Sequence, residues 1–206
     1  CNLLGLGCVY LYRAQSAGQL GQLYRTAGLI LSALAGLLLI KTTLGDNPLL
    51  MRLYVGETPI FNWVILIWLV PSLLALWLAS LVKSLNAKLS QITLGVSGLL
   101  AVLAINTLIR QYWQGGFIYL DKATSDAELY SYSVIWLLLG ALVVIAGHLK
   151  QQRLLQNVGL GILGAVIVKV FLIDMANLTG LLKALSFIGL GLSLVGLSWL
   201  FQKLRK

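Results

Sequence analysis

No charged residue interrupts the stretch Ile60 to Val82, which reads IFNWVILIWLVPSLLALWLASLV. A helix needs about 20 predominantly apolar residues to cross the hydrocarbon core of a bilayer, and this stretch is long enough. The whole chain shares its character, because 59% of the 206 residues are apolar and only 10% are charged. Charged residues usually make up about a quarter of a soluble domain. The composition therefore excludes a soluble globular domain and a disordered chain, and indicates a protein whose solvent is mostly lipid.

Outward from this stretch, the sequence predicts an all-α, polytopic transmembrane helix bundle. The predicted spans cover residues 2–11, 27–44, 60–82, 89–109, 132–148, 154–173 and 185–201. The first span is about half the needed length, and the chain starts with Cys1 rather than methionine. We therefore expect residues 1–206 to be a single helical domain, either a C-terminal fragment of a larger membrane protein or a processed chain. Within the third span, Pro71 removes a backbone hydrogen bond and predicts a kink covered by neighbouring helices.

Basic and acidic residues divide between alternate loops. If the loop after the first span is cytoplasmic, that side holds only basic residues: Arg13, Arg25, Lys83, Lys88, Lys150, Arg153, Lys203, Arg205 and Lys206. All the acidic residues then lie on the other side: Asp46, Glu57, Asp121, Asp126, Glu128 and Asp174. Because short cytoplasmic loops retain lysine and arginine, we predict seven spans, with the N-terminus of this chain outside and its C-terminus in the cytoplasm. The net charge of +9 then faces anionic lipids and needs no nucleic-acid partner.

The second and sixth spans resemble each other when the chain is shifted by 128 residues. The shift superposes Arg25 on Arg153, Gly36 on Gly164, Lys41 on Lys169, Leu44 on Leu172 and Asp46 on Asp174. Both spans then run in the same direction, each with a lysine and an aspartate near the outer face. The pattern predicts a parallel internal repeat.

Lys169 is surrounded by apolar residues in the sixth span. A lysine at the centre of a membrane helix costs roughly 2.5 to 3.5 kcal/mol on insertion scales and is a functional-site hypothesis by default. Alternatively, its four-carbon stem carries the ammonium group to the outer interface. Asp174 lies five positions later, about 140° around a regular helix. We therefore expect either that the helix ends before Asp174 or that each charge finds a partner on another helix.

A second polar concentration spans residues 110–133. Arg110 and Glu128 lie near facing helix ends, where a bidentate pair would staple the helices together. The same groups would also suit an anionic head group or acid-base chemistry. The candidate substrate-binding residues are Arg110, Glu128, Lys169, Asp174, Lys41 and Asp46. No spacing is typical of a catalytic, cofactor or metal site, since the lone His148 has no ligand partner in sequence.

The end of the chain contains the run KVFLID at Lys169–Asp174, followed by SFIGLG at Ser186–Gly191 and by Trp199. Further motifs are RTAGL at 25–29, DNPL at 46–49, FNW at 61–63, Pro71 and ELYSYS at 128–133. Together they resemble the C-terminal part of a bacterial family of very large predicted membrane proteins, domain of unknown function 2339. Lys183 stands where we expect that family to have arginine, and lysine does not form the bidentate contact.

The resemblance implies a many-helix protein of the bacterial inner membrane, of which this chain is a terminal piece. Its expected partners are membrane lipids and the remaining helices of the parent protein or other membrane subunits. The family carries no assigned activity that the resemblance would transfer to this chain.

Three functions remain open. The duplicated lysine and aspartate, Pro71 and the 21 glycines favour a carrier or flippase for a polar or anionic solute. The charges gathered on the outer side would suit an enzyme acting on a lipid-linked substrate, although such enzymes usually have longer outer loops. A structural or assembly module would require no small-molecule chemistry.

Overall fold

A computed structural model describes residues 1–16, 18–58, 62–174 and 181–205, with only the backbone described for 181–186, 204 and 205. Within these residues there are seven α-helices: α1 Asn2–Arg13, α2 Gly21–Leu44, α3 Val70–Val82, α4 Ala87–Gln114, α5 Asp126–Leu149, α6 Arg153–Lys169 and α7 Leu181–Arg205. Two π-helical turns extend this set, Ile65–Leu69 before α3 and Val170–Asp174 after α6. The predicted all-α helical bundle is confirmed.

Among the described residues, five helical segments are long and apolar enough to cross a membrane. They are Gly18–Leu44, Ile65–Val82, Ala87–Gln114, Asp126–Leu149 and Arg153–Asp174. α1 has 12 residues, and the apolar part found in α7, Phe187–Lys203, is also shorter than a full span. The seven helices thus follow the seven predicted spans, but five of them meet the length of a crossing helix.

Helix starts differ from the predicted span starts because polar caps precede the apolar residues. The oxygen of the Asn86 side chain accepts hydrogen bonds from the backbone of Lys88 and Leu89 and begins α4. Ser125 accepts one from the backbone N–H of Glu128, so α5 begins at Asp126 rather than at residue 132. Such caps satisfy N–H groups that have no partner within the helix, and hydropathy does not register them.

The chain divides into two compact units, Cys1–Ala123 and Thr124–Lys206. We call them the N-terminal and the C-terminal unit. The single helical domain over residues 1–206 remains a prediction.

In the N-terminal unit, α1 runs antiparallel to α2, and their backbones approach at two glycines. A Cβ atom on Gly28 would lie only 3.0 Å from the carbonyl oxygen of Gly7 and 2.7 Å from Cγ of Leu11.

α3 runs antiparallel to α4 and is joined to it by reciprocal hydrogen bonds. The Ser72 hydroxyl donates to the Ser97 carbonyl at 2.9 Å, and the Ser97 hydroxyl donates to the Ser72 carbonyl at 2.8 Å.

A π-helical turn, Ile65–Leu69, lies just before Pro71, the residue at which the sequence predicts a kink. The backbone N–H of Val70 donates to the carbonyl of Ile65, five residues earlier. Pro71 has no N–H, and its ring would clash with the carbonyl four residues back in a regular helix. The wider turn accommodates the ring, and Pro71 is buried within the unit.

Charges divide between the two ends of each unit. In the N-terminal unit, one end carries Arg13, Arg25, Lys83 and Lys88, and the other carries the connecting segments 45–58 and 115–123 with all the acidic residues of that unit. In the C-terminal unit, His148, Lys150, Arg153 and Lys203 lie at one end, and Asp126, Glu128, Lys169 and Asp174 lie at the other. We call these the basic end and the acidic end of each unit.

Candidate functional site

Three of the polar side chains at the acidic end of the C-terminal unit form a cluster between α5 and α6. Nζ of Lys169 lies 2.6 Å from Oδ1 of Asp174 and donates to Oγ of Ser133, also at 2.6 Å. The same nitrogen donates to the backbone carbonyl of Leu129 at 3.0 Å. The Ser133 hydroxyl donates in turn to Oδ2 of Asp174 at 2.5 Å. We call Lys169, Asp174 and Ser133 the Lys169 cluster.

The π-helical turn Val170–Asp174 explains how Lys169 and Asp174 meet. In a regular helix, residues five positions apart point in different directions. In a π-helix the backbone hydrogen bond spans five residues, so residue i+5 lies above residue i. The regular α-helix thus ends at Lys169, before Asp174, and both charges have a partner on α5, Ser133. The sequence did not predict that Lys169 and Asp174 also pair with each other.

Every hydrogen-bonding group of the ion pair has a partner within the unit. Lys169 uses all three ammonium protons, and both carboxylate oxygens of Asp174 accept hydrogen bonds. The Asp174 side chain is 3% exposed, against 26% for Lys169. Removing one partner of a buried pair is costly, because the other charge is left uncompensated. Lys169 is thus held by a hydrogen-bonded pair, and its predicted reach to the outer interface stays a prediction.

The same geometry limits the chemistry of Ser133. A serine nucleophile needs a base to take its proton and a route for the substrate. Here the Ser133 oxygen accepts a hydrogen bond from Lys169, which is not a base in this contact, and Ser133 is 4% exposed. The hydrogen-bond donors of the cluster are the Lys169 ammonium group and the Ser133 hydroxyl, and both donate to the Asp174 carboxylate.

Glu128 lies in the first turn of α5, also at the acidic end of the C-terminal unit. Its side chain is 1% exposed, and Oε1 accepts a hydrogen bond from the Tyr132 hydroxyl at 3.1 Å. A carboxylate at a helix N-terminus is stabilised by the helix dipole. Glu128 is thus buried and hydrogen-bonded within α5, and its role in substrate binding stays a prediction.

Arg110 lies near the end of α4 in the N-terminal unit and orders the loop that follows. Its NH2 group donates to the carbonyls of Tyr119 and Lys122, both at 2.8 Å. Lys122 then donates from Nζ to the carbonyl of Gln114 at 2.7 Å. Arg110 and Glu128 belong to different units, so their predicted pairing stays a prediction.

Lys41 and Asp46, the predicted repeat equivalents of Lys169 and Asp174, are exposed at the acidic end of the N-terminal unit. α2 remains α-helical to Leu44, and the backbone N–H of Gly45 donates to the Lys41 carbonyl at 2.7 Å. The π-helical turn that follows Lys169 is thus absent after Lys41. The repeat stays a prediction, and these two sites differ in local structure.

Two polar residues were missed by the sequence analysis as members of a site. Ser133 belongs to the quoted ELYSYS motif, but 36 residues separate it from Lys169. Gln111 is 1% exposed and donates to the Gly56 carbonyl at 2.6 Å. Gln111 follows Thr107 by four residues, so the two lie on the same face of α4, and both are buried. This spacing of two polar residues is the signal in the sequence that could have found Gln111. In the described residues, no group of three or more His, Cys, Asp and Glu is placed to hold a metal ion.

Comparison with known proteins agrees with the resemblance drawn from the motifs. The family described as a predicted membrane protein, domain of unknown function 2339, matches residues 1–204. No curated protein and no solved structure matches the chain. Because the family match covers nearly the whole sequence, the chain belongs to the family of predicted membrane proteins with domain of unknown function 2339.

Proposed function

We propose that the protein handles a polar or anionic solute, as a carrier or a flippase, and that the Lys169 cluster is its binding site. The observation that carries this proposal is the ion pair formed across a π-helical turn at the end of a candidate membrane span. Charged residues in membrane spans are expensive and commonly mark solute pathways. π-helical turns within α-helices frequently occur at functional sites.

The exchange of one anion for another links binding to helix geometry. A carboxylate or phosphate of the solute replaces Asp174 as the partner of Lys169, with Ser133 as a second donor. The π-helical turn then loses the ion pair that spans it. Conversion of the turn to α-helix rotates the chain after it by about 90°. A solute that binds one form better shifts the population towards that form.

The protein is proposed to lie in the bacterial inner membrane as a multi-pass protein, with the N-terminus of this chain outside and its C-terminus in the cytoplasm. The basic ends of both units support this orientation, because cytoplasmic loops retain lysine and arginine. Membrane lipids, the remaining helices of a parent protein and other membrane subunits are its proposed partners, without nucleic acid.

A thermal unfolding titration in mild detergent tests the binding site. Inorganic phosphate, glycerol 3-phosphate and acetate are added separately, with glycerol as the neutral control. We expect at least one anion to raise the melting temperature of the wild type. The increase should be larger in Asp174→Asn, which lacks the competing carboxylate, and absent in Lys169→Gln.

Lys41→Gln is the matched control, because it removes an exposed lysine of the other unit. It should respond to the anions like the wild type. Equal responses of Lys169→Gln and the wild type would contradict the proposed site.

A structural module is the second candidate, and the internal satisfaction of Lys169 favours it. If the cluster only joins α5 to α6, apolar replacement of both charges, Lys169→Met with Asp174→Leu, should preserve stability. It should also preserve the cellular phenotype of the wild type. Loss of that phenotype in a stable double variant would favour solute handling.

A further inference from the structure

The basic end of the N-terminal unit contains a small cleft, where the end of α1, the start of α2 and the end of α3 meet. Its polar lining consists of Gln15, Arg25 and Ser84, and the buried side chains of Leu11 and Leu81 form its base. The cleft lies away from the Lys169 cluster in sequence and belongs to the other unit.

The three polar side chains of the cleft are exposed hydrogen-bond donors. Within the described part of the chain, the side chains of Gln15, Arg25 and Ser84 make no hydrogen bond or ion pair. Arginine that is not engaged elsewhere presents a planar fork that matches two phosphate oxygens. We propose that this cleft binds the phosphate group of an anionic phospholipid.

The charge around the cleft favours an anionic ligand. Arg13, Lys83 and Lys88 are exposed at the same end, and the sequence has no acidic residue in 12–26 or 80–90. Each lysine or arginine near an anionic membrane surface contributes about 1 kcal/mol of attraction. The cleft therefore has one arginine in its lining and three further basic residues around it.

The size of the cleft fits part of a head group. Its volume of about 30 Å³ has room for two water-sized groups. A phospholipid phosphodiester has two unesterified oxygens, which match this room, while the rest of the head group stays outside the cleft. Gln15 and Ser84 then supply the donors that flank the arginine.

Aromatic side chains place the cleft at the level of lipid head groups. The exposed rings of Tyr12 and Trp77 lie 6.4 Å apart, and the half-buried rings of Tyr10 and Tyr24 lie 5.6 Å apart. Tyrosine and tryptophan are enriched where hydrocarbon meets the head groups. This position favours a lipid over a phosphate ion dissolved in water.

Lipid titration of the intact protein in dodecyl maltoside tests the proposal. Dioleoylphosphatidylglycerol is the anionic probe, and dioleoylphosphatidylcholine is the zwitterionic control. Phosphatidylglycerol should raise the melting temperature more than phosphatidylcholine. Arg25→Gln should raise the phosphatidylglycerol concentration needed for half of this effect about tenfold, because a charged hydrogen bond is lost.

Lys88→Gln is the matched control, since it removes the same charge at the same end but outside the cleft. It should shift the titration much less than Arg25→Gln. Both variants should melt like the wild type without added lipid, because both side chains are exposed. Equal shifts in the two variants would mean attraction to the surface as a whole and would overturn the site.

Inorganic phosphate and glycerol 3-phosphate form the soluble arm of the titration. They should stabilise the wild type through this cleft much less than phosphatidylglycerol does. The assignment to a lipid would be overturned if a soluble phosphate raised the melting temperature of the wild type as much as phosphatidylglycerol does and did not raise that of Arg25→Gln. Equal effects of the two lipids on the wild type would also overturn it.

Discussion

Nζ of Lys169 lies 2.6 Å from Oδ1 of Asp174 because residues Val170–Asp174 form a π-helical turn. The pair and the turn depend on each other. In a regular helix the two side chains would point about 140° apart. Without the pair, the turn would lose an interaction that the regular helix does not offer. A change at either residue is therefore expected to change the backbone as well.

Deletion of Leu172 tests this dependence. The side chain of Leu172 is exposed, and its removal brings the aspartate to four positions from Lys169. Residues four apart face each other in a regular helix, so the pair should form without a π-helical turn. We expect a melting temperature close to that of the wild type and loss of the anion response.

Leu172→Ala is the control, because it removes the side chain but keeps the length of the chain. It should keep the anion response. If the deletion variant unfolds while Leu172→Ala stays folded, the pair does not form in a regular helix, and the proposed relation between pair and turn is wrong.

Gly28→Ala should destabilise the N-terminal unit. The added Cβ would lie 2.7 Å from Cγ of Leu11 and 3.0 Å from the Gly7 carbonyl, so α1 and α2 would have to separate. Overpacking of this kind costs about 1 to 3 kcal/mol. Gly36→Ala, on the same helix, meets nothing within 4 Å and should be neutral or slightly stabilising. Thermal unfolding in detergent compares the two, and equal effects would contradict this packing.

Arg110→Gln should loosen the loop after α4. The variant loses the charged hydrogen bonds to the carbonyls of Tyr119 and Lys122, each worth about 1.5 to 3 kcal/mol. Hydrogen exchange of residues 119–122 should become faster while exchange in α2 stays unchanged. Lys41→Gln, at an exposed lysine of the same end, should have a smaller effect. Unchanged exchange in Arg110→Gln would show that other contacts hold the loop.

The proposed orientation is tested by cysteine labelling in a background with Cys1→Ser and Cys8→Ala. A cysteine at the exposed Ala123 should react with an impermeant thiol reagent added to intact cells, and one at Ser84 should react only after lysis. Ser84 is preferred to Asn86 because the Asn86 side chain caps α4. Labelling of the Ser84 position from outside would reverse the orientation.

The sequence predicted the helical bundle and the family, because composition and motifs report them directly. It also predicted that acids gather away from the basic loops, and within each unit they do. The meeting of Lys169 with Asp174 was not predictable from regular helix geometry. Ser133 was missed because only the packing of α5 against α6 brings it to Lys169. The start of α5 was missed because Ser125 acts through a backbone N–H, which hydropathy ignores.

A double-mutant cycle measured with and without an anion tests the central claim most directly. The wild type, Lys169→Gln, Asp174→Asn and the double variant are unfolded in detergent, and the coupling free energy of the two residues is calculated. Contacting residues typically give about 0.5 to 3 kcal/mol. The anion used is the one that stabilises the wild type most in the titration. The account predicts that this anion lowers the coupling free energy, because it replaces Asp174 at Lys169. The same coupling free energy with and without the anion would contradict it.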